Sequence, residues 1–273
     1  MKKITLSFSL CITLLTNLAL STATPEIRTH ARFVPERMDD FAWENDRIAM
    51  RAYGPALRAK TENNGFDPWL KRVDYPIVDK WYQQNAEGKS YHEDHGEGLD
   101  NYKVNDSAGV GGTGLWIDGE RRALETFTAY EIIETTPERS CFKLIYENTI
   151  DGHLFREEKT ITIELGRQLF DVASTFYKDG ELASNLPVCI GLSLQNGKPK
   201  TFKNKAGGWI ATWGSHDKSE LGTAVTMPPE NVKDIQVLSS KKKSQDHVLI
   251  IANTDTEGKI QYSTGFAWKK ARI

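Results

Sequence analysis

The sequence predicts an all-β protein: a large antiparallel β-sandwich with a long irregular, short-helical region near its N-terminus. Three observations carry that prediction. From about residue 120 onward, apolar residues recur at every second position, the period of a half-buried strand. Gly, Asn, Asp and Pro break the pattern at roughly ten-residue intervals, as hairpin turns do. No long stretch of helical period competes with the alternation.

Taken in chain order, the first element is a leader. Lys2 and Lys3 precede an apolar run from Ile4 to Leu20, followed by Ser21-Thr22-Ala23. That pattern predicts a signal peptide over 1–23, and hence an exported bacterial protein, periplasmic or secreted. Cys11 follows Leu10 rather than a small residue, so no lipoprotein anchor is expected. The remainder, 24–273, reads as a single β-sandwich domain with a loop excursion over about 58–120, and no later run is apolar enough for a membrane span.

Residues 47–53 form one strand candidate. Pro76 near a first turn predicts a short helix over 75–82. Residues 85–120 hold Gly88, Gly96, Gly98, Gly109, Gly111, Gly112, Gly114 and Gly119 and read as loop. A loop that long in a compact domain is usually functional. Strands follow at 124–133, 141–149, 161–165, 169–176, 186–194, 208–214, 221–227, 247–253 and 260–268. Turns are expected at Asp151-Gly152, Lys178-Asp179-Gly180 and Asn196-Gly197-Lys198-Pro199.

A net charge of −2 excludes nucleic acid as the expected partner. Seven tryptophans and nine tyrosines suit a β core, and equally suit stacking on sugar rings. Cys141 and Cys189 lie in apolar strands, so a disulfide and two buried thiols both stay open.

Four constellations carry chemistry. YHEDHGEGLD (91–100) offers His92 and His95 among carboxylates: an acid/base pair, two ligands of a divalent metal, or a solvated loop. A third metal ligand would come from His153 or His216. Arg47, Arg51 and Tyr53 share a strand face and fit a sugar carboxylate, or else an outer row of ion pairs. Lys71 and Arg72 stand beside Trp69 and Trp81, a basic aromatic surface or a packed helix entry. Trp209 and Trp213 share one strand face, where core packing is favoured over a sugar platform. The glycines of SAGVGGTGLW (107–116) lack the lysine of a phosphate loop. Serine-hydrolase elbows, zincin helices and paired-cysteine zinc patterns are absent from the sequence, and no cofactor is required by it.

RFVPERMDDFAWENDRIAMRAYGPAL (32–57), DPWLKRVDYPIVDKWY (67–82), YHEDHGEGLDNYKV (91–104) and GGTGLW (111–116) resemble a bacterial family known as domain of unknown function 4861. Its members are exported, lie beside polysaccharide-degrading enzymes, and are often longer at the N-terminus. ITIELGRQLFDVASTFY (161–177), LPVCIGLSL (186–194) and LGTAVTMPP (221–229) are similar to the galactose-mutarotase-like supersandwich of sugar epimerases and polysaccharide lyases. The resemblance implies an oligosaccharide or polysaccharide substrate. The leading expectation is a lyase or dehydratase acting by β-elimination on uronic-acid-containing oligosaccharides. Arg47, Arg51, Lys71 and Arg72 would bind the carboxylate, His92 or His95 would be the base, Tyr91 or Tyr102 the acid, and Trp81 and Trp116 the stacking surface. An aldose mutarotase or epimerase and a non-catalytic carbohydrate-binding protein are the alternatives. All require that the histidine-bearing excursion fold across the β scaffold and meet the arginines in one polar cavity.

Overall fold

The computed structural model describes residues 25–195 and 199–271. The expected signal peptide and the residues at 196–198 lie outside them. In chain order the strands are β1 (His30–Val34), β2 (Asp40–Glu44), β3 (Ala49–Ala52) and β4 (Asp67–Lys71), then helix α1 (Val78–Ala86) and the short β5 (Gly98–Leu99). Next come β6 (Val110–Ile117), β7 (Glu120–Arg122), β8 (Ala129–Thr135), β9 (Arg139–Ile150), β10 (His153–Glu164), β11 (Leu169–Lys178) and β12 (Glu181–Leu182). The chain finishes with β13 (Pro187–Ser193), β14 (Lys200–Asn204), β15 (Trp209–His216), β16 (Ser219–Thr226), β17 (Val232–Leu238), β18 (His247–Asn253) and β19 (Lys259–Trp268).

They form an all-β sandwich. One layer is a nine-stranded sheet, β14-β15-β16-β19-β11-β10-β9-β8, with β12 added to β11. The other layer holds two five-stranded sheets, β1-β2-β3-β4-β5 and β17-β18-β13-β6-β7. A lone bridge between Phe66 and Gly109 joins these two, and the Val110 N–H donates to the Phe66 carbonyl at 3.0 Å. Every second residue points between the layers. Phe142 and Leu144 on β9, Ile161 and Ile163 on β10, and Phe170 and Val172 on β11 therefore meet Phe41 and Trp43 from one five-stranded sheet and Ile190 and Ile250 from the other. Trp43 stands edge-on to Phe66 and Phe170, with centroids 5.3 and 5.4 Å away.

The alternation located the second half well. The expected excursion over 58–120 is corrected: it contains β4, α1, β5 and β6. The glycine-rich run taken for loop is β6, a buried strand paired with β13 through Gly112–Gly191 and Gly114–Cys189. Its glycines answer close packing rather than turning. A Cβ on Gly111 would sit 2.4 Å from Thr264 Cγ2, and one on Gly114 2.7 Å from Arg121 Cγ. Gly111 also has φ +90°. Gly111→Ala is expected to cost roughly 2–4 kcal/mol in denaturant unfolding, overpacking plus left-handed strain. Gly119→Ala, also at positive φ but with nothing within 4 Å of its would-be Cβ, is the control and should cost much less.

The helix begins later than Pro76 suggested, at Val78. The reason is remote in sequence. The Glu44 carboxylate on β2 accepts the N–H groups of Ile77 (2.8 and 2.9 Å) and Val78 (2.8 Å), capping the helix from outside. The favoured core placement of Trp209 and Trp213 is also corrected. They lie on the outer face of β15, 37 and 38% exposed, while Ile210 and Thr212 point inward. Cys141 and Cys189 are buried free thiols on separate sheets. Among the described residues no helix is long and apolar enough to cross a membrane.

Candidate functional site

The outer face of the first five-stranded sheet is unusually charged. Strand parity and register put Asp40, Glu44, Arg51, Asp67 and Lys71 on it, under α1 and the segment that follows. The Arg51 guanidinium reaches Asp67 at 2.5 Å, Asp100 at 2.9 Å and Asp40 at 3.8 Å. Trp69 and Tyr53 lie 5.2 and 5.4 Å from its centre. Burial pushes Asp67 up to about 8, Asp100 adds to the rise, and Arg51 opposes it. Asp67 therefore retains its proton near neutrality.

Of the expected site residues, Tyr91 and Trp81 come to Arg51 and Trp69 here, as closed packing. Tyr91 packs on Trp69 with centroids 5.0 Å apart and on Arg51 at 6.0 Å. Trp81 stacks on Trp69 at 5.6 Å and donates its indole N–H to Glu97 at 3.2 Å. Lys71 is spent: its ammonium donates to Glu44, to the Asn45 carbonyl and to the Tyr75 carbonyl, each at 2.8 Å. The assignment of Lys71 to a substrate is therefore corrected; with no exposed side chain it anchors the capping carboxylate. His92 bonds the Asp100 carbonyl through Nδ1 at 2.6 Å, and His95 bonds the Ser90 carbonyl through Nε2 at 3.0 Å. Both rings close the surface of their own loop. Arg47 sits in the β2–β3 turn against Asp46 at 3.4 Å. Trp116 packs beside Cys189, Leu249 and Ile251 on the outer face of the third sheet. Among the described residues no group of three or more His, Cys, Asp or Glu is placed to hold a metal.

The open polar pocket lies elsewhere, and Tyr102 is in it. Asp100 is fastened to Arg51, so the next two residues are delivered to the other side of the chain. Tyr102, Ser193, Gln195, Thr212, His216 and Thr223 line a cavity of about 220 Å³ at the rim between the layers. The Tyr102 ring is buried in the main core, and its hydroxyl is shielded from solvent beside Gln195 and Ser193. Burial pushes that phenol up, against smaller opposing influences from Gln195 and Ser193, so it is a proton donor at neutral pH. His216 ends β15, just before the tight turn at Asp217 and Lys218, both at positive φ. Its Nε2 meets Asn101 Oδ1 at 2.8 Å. An amide oxygen accepts only, so Nε2 carries the proton and Nδ1 keeps a lone pair. Burial holds the imidazole below its usual 6.5. The two ring centroids are 6.0 Å apart.

Cations gather nearby. Lys270 donates to the carbonyl of the pocket residue Asp217 at 3.1 Å and lies 5.3 Å from the Trp268 ring, and Arg72 lies 5.9 Å from the same ring. Arg72 also bonds Asp94 at 2.8 Å and the Gly96 carbonyl at 3.0 Å. A larger hollow of about 640 Å³ contains His247, but that imidazole already accepts the Ala108 N–H at 3.0 Å and burial drives it to about 3. It has no lone pair left for a substrate.

Sequence reasoning had Tyr102 as an acid and named His216 only as a further metal ligand. Asn101 and Gln195 were missed. The available signal was local: a histidine at a strand end before a two-residue turn, and an Asn-Tyr pair directly after the anchored aspartate.

Residues 16–273 match the family described as Domain of unknown function (DUF4861). The chain is 36% identical over 258 residues to "Uncharacterized protein P7" of Formosa agariphila, covering 89% of this chain and 62% of that protein. It thus spans less than two thirds of that curated relative. Among solved structures it is similar to the alpha-galactosidase from Lactobacillus brevis (10% identity, 87% of this chain and 40% of that one, TM-score 0.38). A second is a polysaccharide lyase (12% identity, 90% and 33% covered, TM-score 0.25). At these scores the likeness carries no functional argument.

Proposed function

The chain belongs to the DUF4861 family, and from the pocket holding Tyr102 and His216 we propose a carbohydrate-active enzyme that cleaves or dehydrates uronic-acid-containing oligosaccharides by β-elimination. The observation that carries this reading is the pairing, in one cavity, of a neutral imidazole with a free lone pair and a protonated phenol held beside Gln195 and Ser193. Elimination needs both in those states. His216 Nδ1 takes the proton from C5 of the uronate. The electron pair forms the C4–C5 double bond, the C4–O bond breaks, and Tyr102 Oη gives its proton to the departing oxygen. The carboxylate makes the C5 proton acidic only when its growing charge is met. The Asn101 amide N–H groups and the ammonium of Lys270 are the groups suited to that task. The apolar leader over 1–23 supports placing the enzyme outside the cytoplasm.

The test is a panel of uronate oligosaccharides followed by the ultraviolet absorbance of the unsaturated product. Turnover should fall as pH drops through the His216 value, which lies on the acid side of 6.5. A rate limb at or above that pH would assign the base to another group. Conversion of neutral aldoses with no unsaturated product would point to epimerase chemistry instead.

A further inference from the structure

The outer face of the nine-stranded sheet carries a feature that the pocket does not use. Phe202, Trp209 and Trp213 are 46, 37 and 38% exposed. Parity and register put them on one surface. Trp209 and Trp213 are four residues apart on β15, about 13 Å along a strand. Phe202 on β14 pairs with Ala211, midway between them. The rings form a row along the sheet edge.

The floor beside that row is flat. On the same face, β16 presents Gly222 and Ala224 and β19 presents Gly265 and Ala267. Trp213 lies down on this floor: a Cβ on Gly222 would be 2.4 Å from its Cε3. Trp209 crowds Gly207 less closely, where a Cβ would stand 2.9 Å from its Nε1. Gly207 and Thr226, the register partner of Trp209, then open a shallow hollow of about 630 Å³ on the same face. Hydroxyl and amide side chains furnish it, Thr160, Thr162, Gln261 and Ser263, together with the Asp171 carboxylate, whose charge Arg167 pairs at 2.5 Å. At the other end of the row Lys200 stands across from Trp213, exposed and without an ion pair among the described residues.

An exposed aromatic cluster of this kind marks a binding surface. Flat indole faces, a floor of glycine and alanine, and flanking hydroxyls match a ligand with alternating C–H faces and hydroxyl edges. A protein partner would need apolar holes to fill; the glycine and alanine floor has none, and the hollow beside it carries Thr160, Thr162, Asp171, Gln261 and Ser263 along it. The unpaired Lys200 adds positive charge at the row's end. We propose that this face docks an extended anionic polysaccharide chain, separate from the pocket: His216 and Trp213 lie on opposite faces of β15. The platform would hold polymer while the pocket acts on chain ends or released fragments. Its carbohydrate ligand class rests on the function proposed above.

The test is affinity electrophoresis of the full chain through gels containing alginate or polygalacturonate, with xylan as the neutral comparison. Wild-type protein should be retarded by at least one of the anionic polymers and less by xylan. The Trp209→Ala/Trp213→Ala double variant should bind at least about tenfold more weakly, from the loss of two stacking faces. Lys200→Ala should weaken binding to the anionic polymer alone. Both tryptophans are surface residues, so circular dichroism should show the double variant folded. Undiminished retardation of that variant, or no retardation of wild type by either anionic polymer, overturns the proposal. The two readings fail separately. Tyr102→Phe should be retarded like wild type yet inactive, whereas the double variant should turn over short oligosaccharides normally. Unsaturated product from short substrates without polymer retention would reject the platform and leave the elimination intact.

Discussion

Alanine at His216 is expected to lower turnover of a uronate oligosaccharide by about 10²–10⁴-fold, the usual contribution of a positioned base. Phenylalanine at Tyr102 should do the same by removing the acid. What makes this pair informative is the stability expected of each variant. Tyr102 is buried by its ring, and its hydroxyl meets the side chains of Gln195 and Ser193. Tyr102→Phe keeps the packing and gives up only the contacts of the hydroxyl, so it should cost about 1 kcal/mol or less. His216 is half-buried at a strand end, and its described side-chain hydrogen bond is to Asn101. Its replacement should cost about 1 kcal/mol or less. Loss of rate without loss of fold is the signature of a reacting group. Full activity in either variant would remove that residue from the mechanism.

Leucine at Arg51 should have the largest effect on stability, a loss of about 3–5 kcal/mol in denaturant unfolding. Leucine retains some contact with Trp69 and Tyr53 but leaves Asp67 and Asp100 buried with no cation at 2.5 and 2.9 Å. Arg37 does not replace it, because its ion pair at 2.7 Å is with Asp40. A fall of less than 1 kcal/mol would mean that the carboxylates simply take up protons, and Asp67, already pushed up to about 8, is the one placed to do so. Activity should fall too, although Arg51 is outside the pocket. Asp100 holds the backbone from which Asn101 and Tyr102 project, and a released Asp100 frees both.

How far the chain could be understood without coordinates varied by segment, for physical reasons. The second half alternates cleanly because each strand of the nine-stranded sheet has one buried and one wet face. In β6 Val110 and Leu115 enter the core, but Gly111 stands where Thr264 of the opposing layer leaves no room for a side chain, Gly112 and Gly114 are crowded by Ala108 and Arg121 of their own layer, and the alternation vanishes. The start of α1 was hidden because its cap, Glu44, is 33 residues away in sequence. Period two expected Arg47, Arg51 and Tyr53 on one strand face, but the strand starts only at Ala49 and Arg47 stands in the turn before it. Their role was not legible: a guanidinium among carboxylates has the same letters whether it awaits a ligand or is already satisfied. Tyr102 could be chosen because it closes the histidine-rich segment. Its partner His216 lies 114 residues further on, and the meeting is made by layer packing that no local pattern encodes.

The bond between Arg51 and Asp100 has a thermodynamic corollary. Asp100, Asn101 and Tyr102 are consecutive, so the salt-bridged interior and the reactive rim share one short lever of backbone. Linkage runs in both directions. If a ligand that settles against Tyr102 tightens the ionic knot behind it, then a change of protonation in that knot must be felt, by the same free energy, as a change of affinity at the rim.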